Sequence, residues 1–588
     1  MHERCGVGSA KTGTLEIDKQ VSAMTDNETD ANALGADAQG RKRIVIVGGV
    51  AGGASAAARA RRCDANAEIT ILEKGPVVSF ANCGLPYHLG GEIEKREKLL
   101  VATPELFWDR FRIRVRTGHE VTKIDREAAT VTGVTDGGEE FKVPYDRLIL
   151  SQGSAPIRPA FAQVQAENLF QLWTLDDLDS ILSYMKKRPC KTATVVGGGF
   201  VGLEVVEQLQ RLGVKVSLVE RNPQVLKPLD PEMARMIENE LERMDTQLLL
   251  SRDMESLLIA NGRVTVAKLA DGESIAADLV IVGAGVRART ELAEQAGLEV
   301  GATGGLVVTD AFQTADPKIY AVGDMIEYHH GTLGKKTRLP LAGPANRAGR
   351  VAGEHAVRGD APSAGSVQGT AIVRVFELGA GVTGLNERTL QSNGISYRTA
   401  TVQAAHHAGY FPGAKPLTVK LLYCPESRKI LGGQAVGELG VDKRIDVIAT
   451  LLQMKGTIDD LAQLDLSYAP PYGSAKDILH MAAFVAQNDL AETPRLVTAD
   501  APLDELQVVD VRNATEIERL PLAGAVHIPV DELQDRYNEL DASRPTVTVC
   551  HSGKRAHVAA CLLRGKGFES VVNLSGGMSI RSLHNSPH

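Results

Sequence analysis

The sequence of 588 residues contains few aromatic residues, few cysteines and no long apolar run. Aromatic residues make up 4% of the chain whereas glycine occurs 58 times, a balance that suits α/β folds with tight nucleotide-binding loops. Apolar stretches such as 276–286 are far shorter than the ~20 residues that a membrane-spanning helix requires. Seven scattered cysteines do not make a disulfide framework and fit a reducing cytosol, where a well-placed cysteine is more often reactive than cross-linked.

The sequence also lacks an excess of basic charge. Lys and Arg total 65 against 73 Asp and Glu, a net charge of −8, so nothing indicates nucleic acid or an anionic membrane as a partner. Hydrophobic (43%) and charged (23%) fractions are those of a soluble globular protein, which we expect in the cytoplasm. The length predicts roughly three or four domains. Residues 1–40 are polar without apolar periodicity and predict a disordered extension.

The first apolar segment has the pattern of a dinucleotide-binding βαβ unit. A buried strand leads into the glycine loop 48–53, a helix over 54–62 and a second strand over 68–72 that is followed by Glu73. Such glycines let the backbone approach a pyrophosphate whose charge faces the helix N-terminus, and the acidic residue binds the ribose hydroxyls. The usual glycine spacing is broken by Val50, so the motif is weak without Glu73.

A second unit of the same kind begins at Gly197. The glycines Gly197, Gly199 and Gly202 have the expected spacing, and a helix and a strand lead from them to Glu220. Each unit has its own downstream acid, which disfavours the alternative of one nucleotide site and one structural glycine turn. Two nucleotides in one chain predict a flavin together with a nicotinamide. Residues 148–153 and 279–283 look like paired strands at the passage between the units.

A lone cysteine, Cys83, lies in the distinctive segment 79–87 after the first unit. Most pyridine-nucleotide flavoproteins that reduce disulfides carry two cysteines, one to attack the substrate and one to resolve the adduct. Here no further cysteine occurs until Cys190. An adduct on Cys83 must therefore be resolved by electrons from the flavin or by a thiol from elsewhere. The alternative is a buried structural cysteine, since free cysteine often packs as a small hydrophobe.

The C-terminal segment 496–588 predicts a separate small domain with a second candidate cysteine. A strand ends in residues 550–555, where Cys550 is followed by Gly and Arg and then by a helix from Ala556. Backbone N–H groups gathered around such a sulfur stabilise a thiolate or persulfide anion. A phosphatase loop uses the same residue types, but the stretches 510–512 and 527–529 favour a sulfurtransferase.

Residues 42–488 resemble the coenzyme A-disulfide reductases and their persulfide-reducing relatives, in the single-cysteine branch of the flavoprotein disulfide reductases, and residues 496–588 resemble a rhodanese domain. The resemblance implies an α/β fold with two Rossmann-like dinucleotide-binding domains for FAD and NADH, an α+β dimerisation domain and an α/β rhodanese domain. The implied boundaries are 41–155 and 276–365 for FAD, 156–275 for NAD(P)H, 366–490 for dimerisation and 496–588 for rhodanese.

The resemblance also implies roles for individual residues. FAD is expected to contact Gly48, Val50, Ala51, Gly52, Gly53, Glu73, Lys74 and Asp324, and NADH to contact Gly197, Gly199, Gly202 and Glu220. Coenzyme A is expected to contact Ser55, Arg59, Arg62, Ser79, Asn82 and Lys476. Some relatives carry a substrate-contacting lysine where this chain has Phe111. The expected catalytic residues are Cys83, Tyr410, Tyr468, Cys550 and Arg555, the two tyrosines serving the partner's site in a homodimer.

The resemblance implies NAD(P)H-driven reduction of a persulfide, a polysulfide or coenzyme A disulfide at Cys83, with sulfane sulfur handled by the rhodanese domain. An NADH oxidase or peroxidase is the enzymatic alternative, but those relatives typically carry a histidine where this chain has Ala51. A third interpretation makes the C-terminal domain a docking or sulfur-sensing module without turnover. Glu220 favours NADH, and the adjacent Arg221 leaves NADPH open as a second nucleotide.

Overall fold

The computed structural model of the chain describes residues 40–585, so the extension predicted for residues 1–40 lies outside the described residues except for Gly40. The first segment contains a βαβ unit and a small three-stranded antiparallel sheet. Its elements are β1 (Arg43–Val47), α1 (Ala51–Cys63), β2 (Glu68–Leu72), α2 (Leu85–Leu89), α3 (Pro104–Phe111), β3 (Ile113–Arg116), β4 (His119–Asp125), β5 (Thr130–Thr135), β6 (Glu140–Pro144), β7 (Arg147–Leu150) and β8 (Ser154–Pro156).

The second segment repeats this arrangement. Its elements are β9 (Leu169–Phe170), α4 (Leu175–Lys187), β10 (Thr192–Val196), α5 (Phe200–Arg211), β11 (Lys215–Glu220), α6 (Pro231–Arg243), β12 (Gln247–Leu250), β13 (Met254–Ala260), β14 (Arg263–Leu269), β15 (Ser274–Ala276) and β16 (Leu279–Val282). A parallel sheet has the strand order β12-β11-β10-β16-β9, and an antiparallel sheet contains β13, β14 and β15.

The chain then returns to the first sheet. The elements here are β17 (Val286–Ala288), α7 (Glu291–Gln295), β18 (Ile319–Ala321), β19 (Tyr328–His329), β20 (Lys336–Thr337) and α8 (Ala342–Arg358). β18 completes a parallel sheet of order β18-β7-β1-β2-β3. Because helices cover both faces of such a sheet, its strands are continuous apolar runs. α8 packs closely on α1: a Cβ on Gly349 would lie 2.1 Å from the Gly52 carbonyl oxygen.

The predicted pairing of residues 148–153 with residues 279–283 is wrong. β7 pairs with β1 and β18 in the first sheet, whereas β16 pairs with β10 and β9 in the second. The two strands look alike in sequence because each lies beside the first strand of its own βαβ unit, buried on both faces. The antiparallel pair of β8 and β17 forms the passage between the two units.

The third segment is built on an antiparallel sheet of order β21-β22-β25-β24-β23. Its elements are β21 (Ala371–Val375), β22 (Leu378–Gly384), α9 (Glu387–Ser392), β23 (Arg398–Ala405), β24 (Pro416–Tyr423), β25 (Ile430–Gly437), α10 (Val441–Gln453), α11 (Ile458–Gln463) and α12 (Ile478–Leu490). Buried apolar residues of α10 and α12 share one core with those of β24. Within the described residues no helix is long and apolar enough to cross a membrane.

The C-terminal segment forms a five-stranded parallel sheet of order β26-β30-β29-β27-β28. Its elements are β26 (Arg495–Val497), β27 (Gln507–Asp510), α13 (Ala514–Arg519), β28 (Val526–His527), α14 (Leu533–Arg536), β29 (Thr546–Val549), α15 (Lys554–Gly565), β30 (Val571–Leu574) and α16 (Gly577–Asn585). This segment covers the edge strand β23 of the third segment. The Thr401 amide donates to Ser575 Oγ at 3.1 Å, and Ser579 Oγ donates to Gln403 Oε1 at 2.8 Å.

Candidate active site

Cys83 lies in a single 3₁₀ turn, Asn82–Gly84, between the first βαβ unit and the short helix α2. The residue is exposed and its sulfur is a free thiol. Partial burial of the thiol raises its pKa above the usual range, and the Glu204 carboxylate raises it further. Cys83 is therefore accessible to a substrate, but partial burial and the charge of Glu204 disfavour the thiolate form.

A hydrogen bond joins the segment of Cys83 to the second nucleotide unit. Tyr87 Oη, in α2, donates to Glu204 Oε1, in α5, at 2.9 Å. Burial raises the pKa of Glu204, with a further contribution from the charge of Glu207. The sequence analysis did not single out Glu204, although its position two residues after Gly202, at the start of α5, was a usable signal.

The two glycine loops have the same backbone geometry. Gly48 and Gly197 have φ angles of 96° and 110°, in the left-handed region that favours glycine. A Cβ on Gly53 would lie 1.9 Å from the Gly48 carbonyl oxygen, and one on Gly202 would lie 1.9 Å from that of Gly197. The middle glycine differs, since a Cβ on Gly199 would meet no atom within 4 Å.

The acidic residues at the strand ends bind their own glycine loops. Glu73 accepts hydrogen bonds from the Gly49 and Gly75 amides at 2.7 and 2.9 Å. Glu220 accepts from the amides of Gly198 and Asn222 at 2.6 and 2.8 Å. Both carboxylates therefore stabilise the glycine loops by accepting hydrogen bonds from backbone amides, close to where a ribose is expected. Lys74 is exposed and forms an ion pair with Glu120, and Ala51 and Gly52 begin α1.

Asp324 follows β18, in the turn Gly323–Met325. Its Oδ2 accepts a hydrogen bond from Ser154 Oγ at 2.8 Å. Asp324 is partly buried, and this burial raises the pKa of its carboxyl. The charge of Asp324 also contributes to the raised pKa of Cys83, after the larger effects of burial and of Glu204.

The predicted coenzyme A residues do not form one set of free side chains. Arg59 donates through Nη2 to Glu354 of α8 at 2.6 Å, and Ser55 Oγ donates to Asn346 Oδ1 at 2.6 Å. Arg62 lies over the Phe111 ring, with its Cζ 5.5 Å from the centroid.

The remaining members of the predicted set differ in exposure. Ser79 is buried with a φ of 51°, and its backbone amide donates a hydrogen bond to the Gly49 carbonyl oxygen at 2.9 Å. Asn82 Nδ2 reaches the Trp173 carbonyl at 3.4 Å, and Lys476 is exposed. Of this set, Arg62 and Lys476 offer cationic groups without an ion pair in the described chain, whereas Arg59 is already paired.

The two predicted catalytic tyrosines lie together on the surface of the third segment. Tyr410 Oη and Tyr468 Oη are 2.9 Å apart, and this hydrogen bond raises the pKa of Tyr410. Their side chains are strongly exposed, at 77% and 48%. Within residues 40–585 of one chain, no hydrogen bond connects either phenol to Cys83. Tyr472 is also exposed and has no part in the pair.

Cys550 lies at the end of β29 and is buried with 1% exposure. The loop that follows reaches α15 through Gly553, which has a φ of 85°. α15 begins at Lys554 rather than at Ala556, so its first turn is nearer to the sulfur than predicted. A Cβ on Gly577 would lie 2.4 Å from the Cys550 carbonyl oxygen, which shows how closely α16 approaches the loop.

Two further contacts fix the stretches 510–512 and 527–529 that the sequence analysis associated with this second site. Arg512 Nη2 donates to Asp510 Oδ2 at 2.6 Å, and both side chains are almost fully buried. His527 Nε2 lies 2.9 Å from the Arg512 carbonyl oxygen. Arg555 forms two hydrogen bonds with Glu516, a residue that the sequence analysis missed. Its signal was the Asn-x-x-Glu capping pattern that begins at Asn513.

Comparison with known families decides the identity of the larger part of the chain. Residues 42–349 match the pyridine nucleotide-disulphide oxidoreductases, residues 370–478 the dimerisation domain of the same enzymes, and residues 496–579 the rhodanese-like domain. The chain belongs to the pyridine nucleotide-disulphide oxidoreductase family. This oxidoreductase thus carries a fused rhodanese-like domain, and the predicted fold class and enzyme class are confirmed.

Individual relatives support the same family. The coenzyme A disulfide reductase of Staphylococcus aureus is 34% identical over 446 residues, which are 76% of this chain and 100% of that protein. The structure of reduced CoADR-RHD from Bacillus anthracis is 40% identical, with a TM-score of 0.89, and covers 92% of this chain and 98% of its own. An NAD-dependent persulfide reductase from A. fulgidus is 36% identical, with a TM-score of 0.87, over 92% and 99% of the two chains. Family membership implies FAD and NAD(P)H as cofactors, and the dimerisation domain indicates a homodimer.

Proposed function

We propose that the oxidoreductase uses NADH to reduce coenzyme A disulfide or a persulfide of coenzyme A through Cys83, and that Cys550 carries sulfane sulfur in the same chain. The observation that carries the proposal is the placement of Cys83. It is an exposed, unpaired thiol in the turn before α2, and Tyr87 of α2 forms a hydrogen bond to Glu204 of the second nucleotide unit. A cysteine placed in this way can react with a substrate and lie within reach of both nucleotides.

The residues of the first unit fit an FAD. Gly48, Gly53 and Glu73 shape the loop before α1, whose backbone amides can bind a pyrophosphate. Val50 occupies the position that Gly199 has in the second loop, and a Cβ on Gly199 would meet no atom within 4 Å. A side chain at this position is therefore compatible with the loop. Asp324 has a partly buried carboxyl that can accept hydrogen bonds from hydroxyls of a ribitol. When bound, FAD supplies the transfer of two electrons from the pyridine nucleotide to the sulfur centre.

The second unit fits NADH. Gly197, Gly199 and Gly202 form the loop, and Glu220 lies at the strand end where it disfavours a 2′-phosphate by charge. Glu220 is held by the Gly198 and Asn222 amides, so its carboxylate is fixed rather than free to swing away. NADPH is therefore the poorer substrate in this proposal, and Arg221 is the residue that retains some affinity for it.

The sulfur step is a thiolate displacement. The Cys83 thiolate attacks one sulfur of R–S–S–R or the outer sulfur of R–S–SH, a Cys83–sulfur bond forms, the original sulfur–sulfur bond breaks and a thiolate leaves. Two electrons then cleave the new bond, release the second thiolate or hydrosulfide, and regenerate the Cys83 thiolate. No second cysteine of the chain is needed for this balance.

The tyrosine pair supports a site completed by the partner subunit. Tyr410 and Tyr468 are hydrogen-bonded to each other and exposed, so the pair is already formed within one subunit and is available to the active site of the partner subunit. A phenol can donate a hydrogen bond to the thiolate that leaves. Arg62, held over Phe111, is the cation that can bind a phosphate of coenzyme A where some relatives use a lysine.

The proposal is tested by NADH consumption with three substrates measured in parallel. Coenzyme A persulfide and coenzyme A disulfide should support turnover, and hydrogen peroxide should support at least about tenfold less, because Ala51 offers no acid or base to a peroxide oxygen. Turnover with hydrogen peroxide equal to that with coenzyme A persulfide would contradict the proposed function and favour the peroxidase alternative.

A further inference from the structure

We propose that Glu516 is a positioning and specificity residue of the Cys550 site, and that its charge makes this site select organic persulfides over the dianion thiosulfate. The inference rests on the proposed sulfur-carrying role of Cys550. Glu516 lies in α13, whereas Cys550 and Arg555 belong to the loop and helix after β29. Only the folded domain brings these residues together.

Both oxygens of Glu516 hold the Arg555 guanidinium. Arg555 Nη1 donates to Oε2 at 2.7 Å and Nη2 donates to Oε1 at 2.5 Å, a bidentate pair. The Arg555 side chain is 36% exposed and that of Glu516 is 26% exposed, so the pair is open to solvent beside the Cys550 loop, a position that we call the mouth of the site. The paired carboxylate offsets the positive charge that Arg555 would otherwise present to an anionic donor.

Glu516 is itself fixed in place. The Asn513 amide donates to its Oε2 at 3.1 Å, and the Asn513 side chain accepts from the Glu516 amide at 3.0 Å. The hydrogen bonds from Arg555, with the charge of nearby His551, lower the pKa of Glu516 to about 2. The carboxylate is therefore ionised throughout the physiological range and cannot rotate away from Arg555 without breaking the cap of α13.

The charge of Cys550 also affects the pKa of Arg555. The Cys550 sulfur raises the pKa of Arg555 through its charge and a hydrogen bond, after the larger effect of Glu516. Arg555 lies in the first turn of the helix that follows the Cys550 loop, and its two hydrogen bonds to Glu516 join this turn to α13. A donor anion that approaches the sulfur meets a protonated guanidinium whose positive charge is offset by the Glu516 carboxylate, while His551 in the loop and Lys554 at the start of α15 are exposed basic residues.

The two donor classes differ in the charge that they bring to this mouth. Attack by the Cys550 thiolate on thiosulfate forms a Cys550 persulfide and releases sulfite, and the reacting group carries two negative charges throughout. Attack on the outer sulfur of R–S–SH forms the same persulfide and releases R–S⁻; the persulfide group is uncharged in this protonated form and carries one negative charge when ionised, against two on thiosulfate. A fixed carboxylate at the mouth penalises the first donor far more than the second.

The test compares sulfur transfer to cyanide from thiosulfate and from glutathione persulfide, each followed as thiocyanate. Glu516→Gln is the variant, because glutamine keeps the size and the capping ability of glutamate. We expect kcat/KM for thiosulfate to rise about tenfold relative to that for glutathione persulfide, mainly through a lower KM for thiosulfate. Glu518→Gln, on an exposed position of the same helix, is the matched control and should keep the native ratio.

An unchanged donor ratio in Glu516→Gln, or equal changes with both donors, would overturn the inference. So would a wild-type protein that transfers sulfur from thiosulfate as well as from glutathione persulfide, or from neither. Thermal unfolding of both variants checks that the domain remains folded. NADH consumption with coenzyme A disulfide, measured on the same wild-type preparation, reports on Cys83 alone and separates a failure of the proposed reductase function from a failure of this inference.

Discussion

The reactivity of Cys83 depends on a neighbouring charge. Partial burial of the sulfur disfavours the thiolate most, and the Glu204 carboxylate acts in the same direction. Only the thiolate is nucleophilic, so both effects reduce the reactive fraction of Cys83 at neutral pH. The segment 79–87 identified the cysteine from sequence, but the contact of Tyr87 with Glu204 joins residues 117 positions apart and depends on the packing of α2 against α5.

We predict that Glu204→Gln lowers the pKa of Cys83. The variant removes a negative charge that disfavours the thiolate, so the pH midpoint for alkylation of Cys83 by iodoacetamide should move to lower pH. The measurement uses NADH-reduced holoenzyme with the Cys83 peptide quantified by mass spectrometry. Glu94→Gln, an exposed residue in the same region, is the control. A midpoint that stays in place or rises would contradict the electrostatic role of Glu204.

At the scale of elements, the glycine loops explain both a success and an error of the sequence analysis. The loop was recognised from its glycines, but the helix α1 was expected over 54–62 and begins at Ala51. The pattern of small residues conceals the start, because Gly52 and Gly53 belong to the first helical turn rather than to the loop.

Two substitutions in the first loop should differ in their effect on FAD binding. Gly53→Ala places a Cβ 1.9 Å from the backbone oxygen of Gly48, which cannot move without opening the loop. We expect FAD affinity to fall by about tenfold or more, as for a clash that costs about 1–3 kcal/mol. Val50→Gly is the matched control and should bind FAD as the native protein does. Titration of apoprotein with FAD measures both, and equal affinities of the two variants would refute the role given to the loop.

At the scale of the whole molecule, the exposed tyrosine pair predicts active sites shared between subunits. Neither the pairing of Tyr410 with Tyr468 nor the cover of β23 by the rhodanese-like domain was readable from sequence periodicity. Both depend on contacts between residues far apart in the chain, such as Thr401 with Ser575. The two nucleotide-binding units and the rhodanese-like segment, by contrast, were recognisable from sequence, because each has its own glycine or cysteine motif.

Mixing two inactive proteins tests the shared site. Cys83→Ser and the double variant Tyr410→Phe/Tyr468→Phe should each lose sulfur reduction, and subunit exchange should restore about a quarter of native activity. Half of the dimers are then mixed, and each mixed dimer has one site with an intact Cys83 and intact tyrosines. Co-expression of both chains ensures exchange. If proven mixed dimers show no recovery, the tyrosines do not act across the subunit boundary.

The most direct test of the central claim is NADH consumption by Cys83→Ser with coenzyme A persulfide as substrate. We expect the variant to bind FAD and NADH as the native protein does, and to reduce ferricyanide with NADH at the native rate, since neither property needs the thiol. Reduction of the persulfide should fall by about a thousandfold or more, the scale of losing a nucleophile. Persulfide reduction at the native rate would show that Cys83 is structural and would contradict the proposed mechanism.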